Sequence, residues 1–252
     1  LFQVLDKAVN SGCLFASKSS SLLPALLIPS DDRKDKMAGL HFFYPVAMKT
    51  TVELIGSPLT SRATLAALED FLVSIQKTPF HQDEAGAFML NRIFLDFQAY
   101  AFRTVKEGNW SFAEIDDLVR TCFFPTGVFE FFDHVGLDVM LAAILSYTHN
   151  AANSEFYGPM TGTLEALVNM HQLGIKTGSG FYDYRGKSAV APIPASGDKE
   201  PARQAVRDRL WQYYMHSVES ALQTGHCARS DLAAYLQDYL GTDRDPFTPA
   251  GA

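Results

Sequence analysis

The stretch 39-GLHFFYPVAMKTTVELIG-56 contains two apolar runs, and each carries one ionisable side chain. His41 sits at the edge of the first, and Glu53 lies between Val52 and Leu54 in the second, twelve residues later. A charge inside an apolar run is costly without a partner, so Glu53 needs one, and His41 is the nearest candidate. Working outward, "MAGLHFF" and "TTVELIG" read as two strands, "GCLFAS" as a shorter one, and "LFQVLDKAV" has helical spacing. After "SPLTS", Leu65, Leu68, Leu72 and Ile75 mark one face of an amphipathic helix that Thr60 could cap. "KTPFHQD" then reads as a last strand and a connection. This alternation is the pattern of an α/β layer, about half of a doubly wound sheet, over residues 1–84.

From residue 85 onward the sequence reads as helical. In "NRIFLDFQAYAFRTVKEG", Ile93, Phe97, Tyr100 and Ala101 recur at helical spacing and Gly108 stops the helix. "SFAEIDDLVR" opens the next helix with Ser111 as N-cap and Glu114 three residues on, a capping box. The segments "NRIFLDFQAYAFRTVKEGNWSFAEIDDL" and "DRLWQYYMHSVESALQTGHCARSDLAAY" align without a gap, Arg92 with Arg209, Gly108 with Gly225 and Ile115 with Leu232. The expected organisation is an α/β part at 1–84, a helical domain at 85–186, an Ala/Pro/Ser-rich linker at 187–205, and a second, partial helical repeat at 206–252.

With 47% hydrophobic and 19% charged residues, the composition is that of an ordinary soluble globular protein. "SLLPALLIP" is too short and too broken by proline to span a membrane. A net charge of −7 disfavours nucleic acid or a membrane surface as a general partner and leaves small-molecule chemistry as the better fit. Cys13, Cys122 and Cys227 are odd in number and in no paired spacing, which points to reduced thiols in an intracellular, cytoplasmic setting. The first residue is Leu1 and the first methionine Met37, so the chain is expected to be a piece of a longer one. His81, His134, His149, His171, His216 and His226 show no metal-ligand spacing, and no metal site is expected.

Four motifs in order, "ASKSSSL" (16–22), "GLHFFYP…VELI" (39–55), "NRIF" (91–94) and "GIKTGSGFYDY" (174–184), resemble the L-3-hydroxyacyl-CoA dehydrogenases of fatty-acid β-oxidation and related butyryl-CoA metabolism. "FFPTGVFEFFDHVGLD" (123–138) also looks like that family's Pro-x-Gly-Pro-Phe segment. The resemblance runs from about residue 1 to 185. It implies an incomplete Rossmann-type sheet followed by an all-α C-terminal domain that also serves dimerisation, with NAD as cofactor and an acyl-CoA as substrate. The family's general base falls on His41 and its partner carboxylate on Glu53. His41 would take the proton of the 3-hydroxyl as hydride leaves the same carbon, and Glu53 would hold the imidazole tautomer. Ser20 and Asn91 match the substrate-binding serine and asparagine, donors for the substrate oxygen and the thioester carbonyl.

Two positions depart from the family pattern. Tyr44 stands where the family has asparagine, and Lys18 replaces another asparagine near the cofactor, where a cation could favour a phosphate or ribose contact. No Gly-x-Gly-x-x-Gly segment occurs in this sequence, so the chain by itself is expected to be inactive. Blander readings stand beside these. Glu53 could be a strand carboxylate satisfied by backbone donors, Ser20 part of a strand-end turn or cap, and Asn91 the N-cap of the long helix. The aromatic string 123–136 could pack a helical core or a dimer interface, or line an acyl pocket. A non-catalytic acyl-CoA-binding or dimerisation module, and a dehydrogenase of hydroxy acids without CoA, are the rival functions.

Overall fold

The computed structural model describes residues 1–108, 110–149, 154–186 and 200–249. It divides into two compact units, one of Leu1–Leu90 with Ala221–Gly241, the other of Asn91–Ser220 with the residues from Thr242 on.

The first unit opens with helix α1 (Phe2–Asp6) and strand β1 (Phe15–Ser17). Strands β2 (Met37–Phe42) and β3 (Thr51–Gly56), helix α2 (Arg62–Ser74) and strand β4 (Thr78–Asp83) follow. The strands lie in the order β1-β2-β3-β4, with β1 parallel to β2, β2 antiparallel to β3, and β3 parallel to β4. α2 is the crossover that a parallel β3–β4 pair requires. Every residue of β3 is buried, as its run of Val, Leu and Ile around one carboxylate foretells. Leu40 and Leu54, paired across β2 and β3, pack in one cluster with Leu68 and Leu72 of α2. Because side chains alternate along a strand, His41 and Glu53 are directed to the opposite face of the sheet.

Two local expectations are corrected. α2 is capped by Ser61, whose hydroxyl accepts from the Thr64 N–H at 3.1 Å, whereas the Thr60 hydroxyl donates to the Met37 carbonyl at 2.7 Å. Ile75, counted on the apolar face of α2, lies past its end and is exposed.

Helix α3 (Met89–Ile93) follows the sheet, then α4 (Leu95–Glu107), α5 (Phe112–Cys122), α6 (Val128–Val135), α7 (Leu137–Thr148), α8 (Ser154–Asn169), α9 (Glu200–Gln223) and α10 (Arg229–Leu240). Gly108 ends α4, and Ser111 with Glu114 forms the expected capping box on α5. The aromatic string packs inside the second unit, where Phe129 and Phe132 are fully buried against Phe102 and Phe181. Of the stretch read as a linker, 187–199 lies outside the described residues, and from Glu200 onward it is already helix, with Pro201 in the first turn where its missing N–H costs nothing. The internal repeat holds at the level of elements: α10 begins at the offset from α5 that separates Gly225 from Gly108, and Ile115 and Leu232 are both fully buried. The turns differ, since Gly225 adopts φ +74° and Gly108 is extended. Among the described residues no helix is long and apolar enough to cross a membrane.

Candidate active site

His41 and Glu53 are direct partners in the β2–β3 ladder, which converts their separation in sequence into adjacency. Both are buried, and His41 Nδ1 lies 2.5 Å from Glu53 Oε2. The other carboxylate oxygen, Oε1, accepts from Gln82 Nε2 at 3.0 Å and from the Leu90 N–H at 3.1 Å. A carboxylate can only accept, so Nδ1 carries a proton, and in the neutral ring the lone pair is therefore on Nε2. Three donors converge on Glu53, which fixes both of its oxygens and through them the imidazole.

The ring itself is held between two aromatic edges. Phe43 meets it at a centroid distance of 4.6 Å and an interplanar angle of 67°, and Phe88 meets it at 5.5 Å and 82°. Phe88 has φ +60°, a left-handed conformation rare for a bulky side chain, so the turn before α3 is bent to bring it there. That turn also delivers the Leu90 N–H to Glu53. The arrangement fixes the tautomer of a neutral imidazole, with Nδ1 toward the carboxylate and Nε2 away from it.

The remaining expected residues are placed as follows. β1 and β2 run parallel with Ser17 opposite Gly39, so the bend carrying Lys18 and Ser20 leaves the sheet at the same end as His41. Ser20 is half-buried in that bend, and it is Ser19 whose hydroxyl accepts the turn N–H groups of Ser21 at 3.3 Å and Leu22 at 2.9 Å. Ser19 thus fills a strand-end turn role. Lys18 is exposed, and Tyr44 is 78% exposed at a cis Tyr44–Pro45 bond. Asn91 is no N-cap: it is the third residue of α3, and its amide donates to the Tyr147 hydroxyl at 3.3 Å in the second unit. Gln82 and the Leu90 N–H escaped the sequence reading. Gln82 had a signal, since it alternates with Phe80 on β4 and so falls on the buried side.

The "GIKTGSGFYDY" motif has a different task. Asp133 accepts from the N–H groups of Phe181 and Tyr182 and from the Tyr184 hydroxyl, each at 3.0 Å. Asp116 accepts from the N–H groups of Phe129 and Glu130, both at 2.9 Å, and from the Tyr182 hydroxyl at 2.7 Å. Gly174 has φ +88°, and a Cβ there would lie 2.2 Å from the Asp133 carbonyl oxygen. The motif is a clasp that closes the helical unit around two buried aspartates.

Residues 1–85 match the family model for the NAD binding domain of 3-hydroxyacyl-CoA dehydrogenase, and residues 87–184 match that for its C-terminal domain. The chain is 35% identical over 186 residues to the mitochondrial hydroxyacyl-coenzyme A dehydrogenase of Mus musculus, covering 73% of this chain and 59% of that protein. It is 34% identical over 186 residues to the 3-hydroxybutyryl-CoA dehydrogenase of Clostridioides difficile, covering 73% and 65%. Among solved structures, (S)-3-hydroxybutyryl-CoA dehydrogenase PaaH1 of Ralstonia eutropha superposes with a TM-score of 0.64 at 30% identity, over 73% of this chain and 65% of that one. The 3-hydroxybutyryl-CoA dehydrogenase of Escherichia coli K12 shares the fold over 97% of this chain and 69% of its own, with a TM-score of 0.74 at 19% identity. The chain thus spans 59% and 65% of the lengths of the mouse and C. difficile relatives.

Proposed function

The chain belongs to the 3-hydroxyacyl-CoA dehydrogenase family, and we propose that it carries the proton-transfer site of an enzyme that oxidises an L-3-hydroxyacyl-CoA to the 3-oxoacyl-CoA with NAD. The observation that carries this reading is the buried His41–Glu53 pair with Nε2 left available. His41 Nε2 takes the hydroxyl proton while the hydride on the same carbon departs, and the imidazolium so formed is stabilised by Glu53 at 2.5 Å. NAD, when bound, supplies the hydride acceptor. The bend after β1 suits its nicotinamide side, because it carries the Lys18 ammonium and the Ser19 hydroxyl at the end of the sheet where such folds bind ligands. We assign Ser20 and Asn91 to the substrate oxygen and the thioester carbonyl, and Lys18 and Tyr44 to the cofactor side.

The working form we propose is a homodimer through the helical unit, and the compartment the cytoplasm, consistent with three free thiols. Sedimentation and localisation of a tagged full-length protein test these two. The activity is tested in the full-length protein, which the sequence reading expects to extend beyond this chain, by NAD reduction with 3-hydroxybutyryl-CoA. His41→Gln should lower kcat about 10²- to 10⁴-fold with the fold retained, and turnover within about threefold of wild type would overturn the assignment. A folded wild type without turnover would favour a binding module or a substrate without CoA.

A further inference from the structure

The segment Ala221–Gly241, which groups with the sheet, reaches both walls of the His41 site. On one side Tyr239 of α10 meets Phe43 edge to face, with centroids 5.0 Å apart and an interplanar angle of 88°, and Phe43 in turn meets His41. Next to it, the Asp238 carboxylate accepts the N–H groups of Thr50 at 3.1 Å and Thr51 at 2.7 Å, while its carbonyl accepts from Lys49 Nζ at 2.6 Å. These contacts fix the start of β3, two residues before Glu53. On the other side His226 Nε2 lies 3.4 Å from Asp83 Oδ1, and its ring covers Gly86 so closely that a Cβ there would come within 2.8 Å of it. Gly86, whose N–H donates to Asp83, lies in the turn that sets Phe88 against His41 and the Leu90 N–H on Glu53.

We propose that Ala221–Gly241 is the positioning element of the proton-transfer pair, with Tyr239 as a positioning residue that acts on His41 through Phe43. An edge-to-face contact is directional, so Tyr239 limits how far Phe43 can turn and Phe43 limits the imidazole. Glu53 then meets the ring in one geometry, and small displacements of a reacting group are expensive in rate. The catalytic consequence rests on the dehydrogenase reading; the geometric one does not.

The test uses the full chain and two readouts, the His41 Nδ1–H proton resonance and the split between kcat and KM. Tyr239→Leu should move that resonance upfield and lower kcat about tenfold with KM little changed, while Tyr239→Phe, which keeps the ring, should leave both as in wild type. Leu232→Ala supplies the purely structural comparison, since it empties a fully buried position on the same helix, about two turns before Tyr239. It should lower the melting temperature and leave the His41 proton where it was. An unmoved resonance in Tyr239→Leu, or an equal movement in Leu232→Ala, would overturn the proposal. Should Tyr239→Leu not fold, Asp238→Asn gives the same comparison through Thr50 and Thr51. The resonance decides the matter even where the wild type shows no turnover, so failure of the dehydrogenase reading is not confused with failure of this one.

Discussion

Replacing Glu53 by glutamine tests the site at its most constrained atom. The side chain keeps its shape, and the question is which way the new amide points. Oε1 of Glu53 faces two donors, Gln82 Nε2 and the main-chain N–H of Leu90. The Gln82 amide can turn over, but the Leu90 N–H cannot, so the new carbonyl oxygen must occupy that position. The new NH2 then faces His41 Nδ1, at a place where 2.5 Å now separates donor from acceptor. Nδ1 has to become the acceptor, the ring proton moves to Nε2, and the nitrogen that should receive the substrate proton is blocked. Loss of a general base of fixed tautomer lowers kcat by about 10²- to 10⁴-fold. Stability suffers less, by about 1.5–3 kcal/mol, because one charge-assisted hydrogen bond is exchanged while the other two contacts persist. Ring nitrogen shifts of His41 and the rate of NAD reduction by 3-hydroxybutyryl-CoA read the two effects separately. A ring that retains its Nδ1 proton, together with a kcat reduced by less than about tenfold, refutes the argument.

Gln82→Met removes one donor to Glu53 together with a buried Oε1 that has no partner, so stability should stay within about 1 kcal/mol of wild type in a urea titration while kcat falls by up to about tenfold. Burial pushes the Asp116 carboxyl up to about 6, against the opposing pull of the Phe129 and Glu130 N–H groups, the Tyr182 hydroxyl and Arg120. The folded chain therefore holds a proton that the unfolded chain, at 3.8, releases, and this site's contribution to stability falls as pH rises between those values, by roughly 3 kcal/mol in all. The unfolding free energy of wild type minus that of Asp116→Asn should drop by most of that amount from about pH 4 to about pH 7, and a constant difference would contradict it. Gly174→Ala places a Cβ against a main-chain oxygen at a φ of +88°, and should cost the helical unit about 3 kcal/mol or more, read as a lowered urea midpoint.

The sheet and the adjacency of His41 to Glu53 were legible because both depend on short-range pattern. Two apolar runs of strand length, each with one ionisable residue, can satisfy those residues mutually when the strands are neighbours, the short connection from Phe42 to Thr51 makes them antiparallel, and the ladder places His41 opposite Glu53. What sequence could not supply lies outside that hairpin. Gln82 comes from the next strand and the Leu90 N–H from a turn whose left-handed Phe88 has no glycine to advertise it. The caps show the same limit at smaller scale. Thr60 and Ser61 are chemically equivalent as caps, and the choice falls to the Met37 carbonyl, which engages Thr60 from across the sheet. Likewise the Asn91 side chain is claimed by Tyr147, a residue far away in sequence. The stretch 200–205 read as a linker because of its Ala and Pro content, yet it opens a long helix whose buried Val206, Leu210 and Tyr214 hold it in place.

Glu53, Asp116 and Asp133 are all essentially buried carboxylates, and all three are surrounded by donors, so burial does not by itself separate function from structure. A raised pKa accompanies the clasp, since burial pushes Asp116 up to about 6 and raises Asp133 as well. The partners make the distinction. Asp116 and Asp133 spend their oxygens on main-chain N–H groups and tyrosine hydroxyls, donors that do not exchange protons near neutral pH, and the result is a clasp. Glu53 gives one oxygen to a main-chain N–H and a glutamine amide and the other to an imidazole, a donor whose second nitrogen can accept a proton. Charge arriving at that second nitrogen is stabilised through the ring by a carboxylate already desolvated and already oriented, so no rearrangement accompanies the transfer. The same side-chain type therefore supports a fold in one unit and, in the function proposed above, a proton transfer in the other, and the difference lies in whether its neighbour can carry a proton onward.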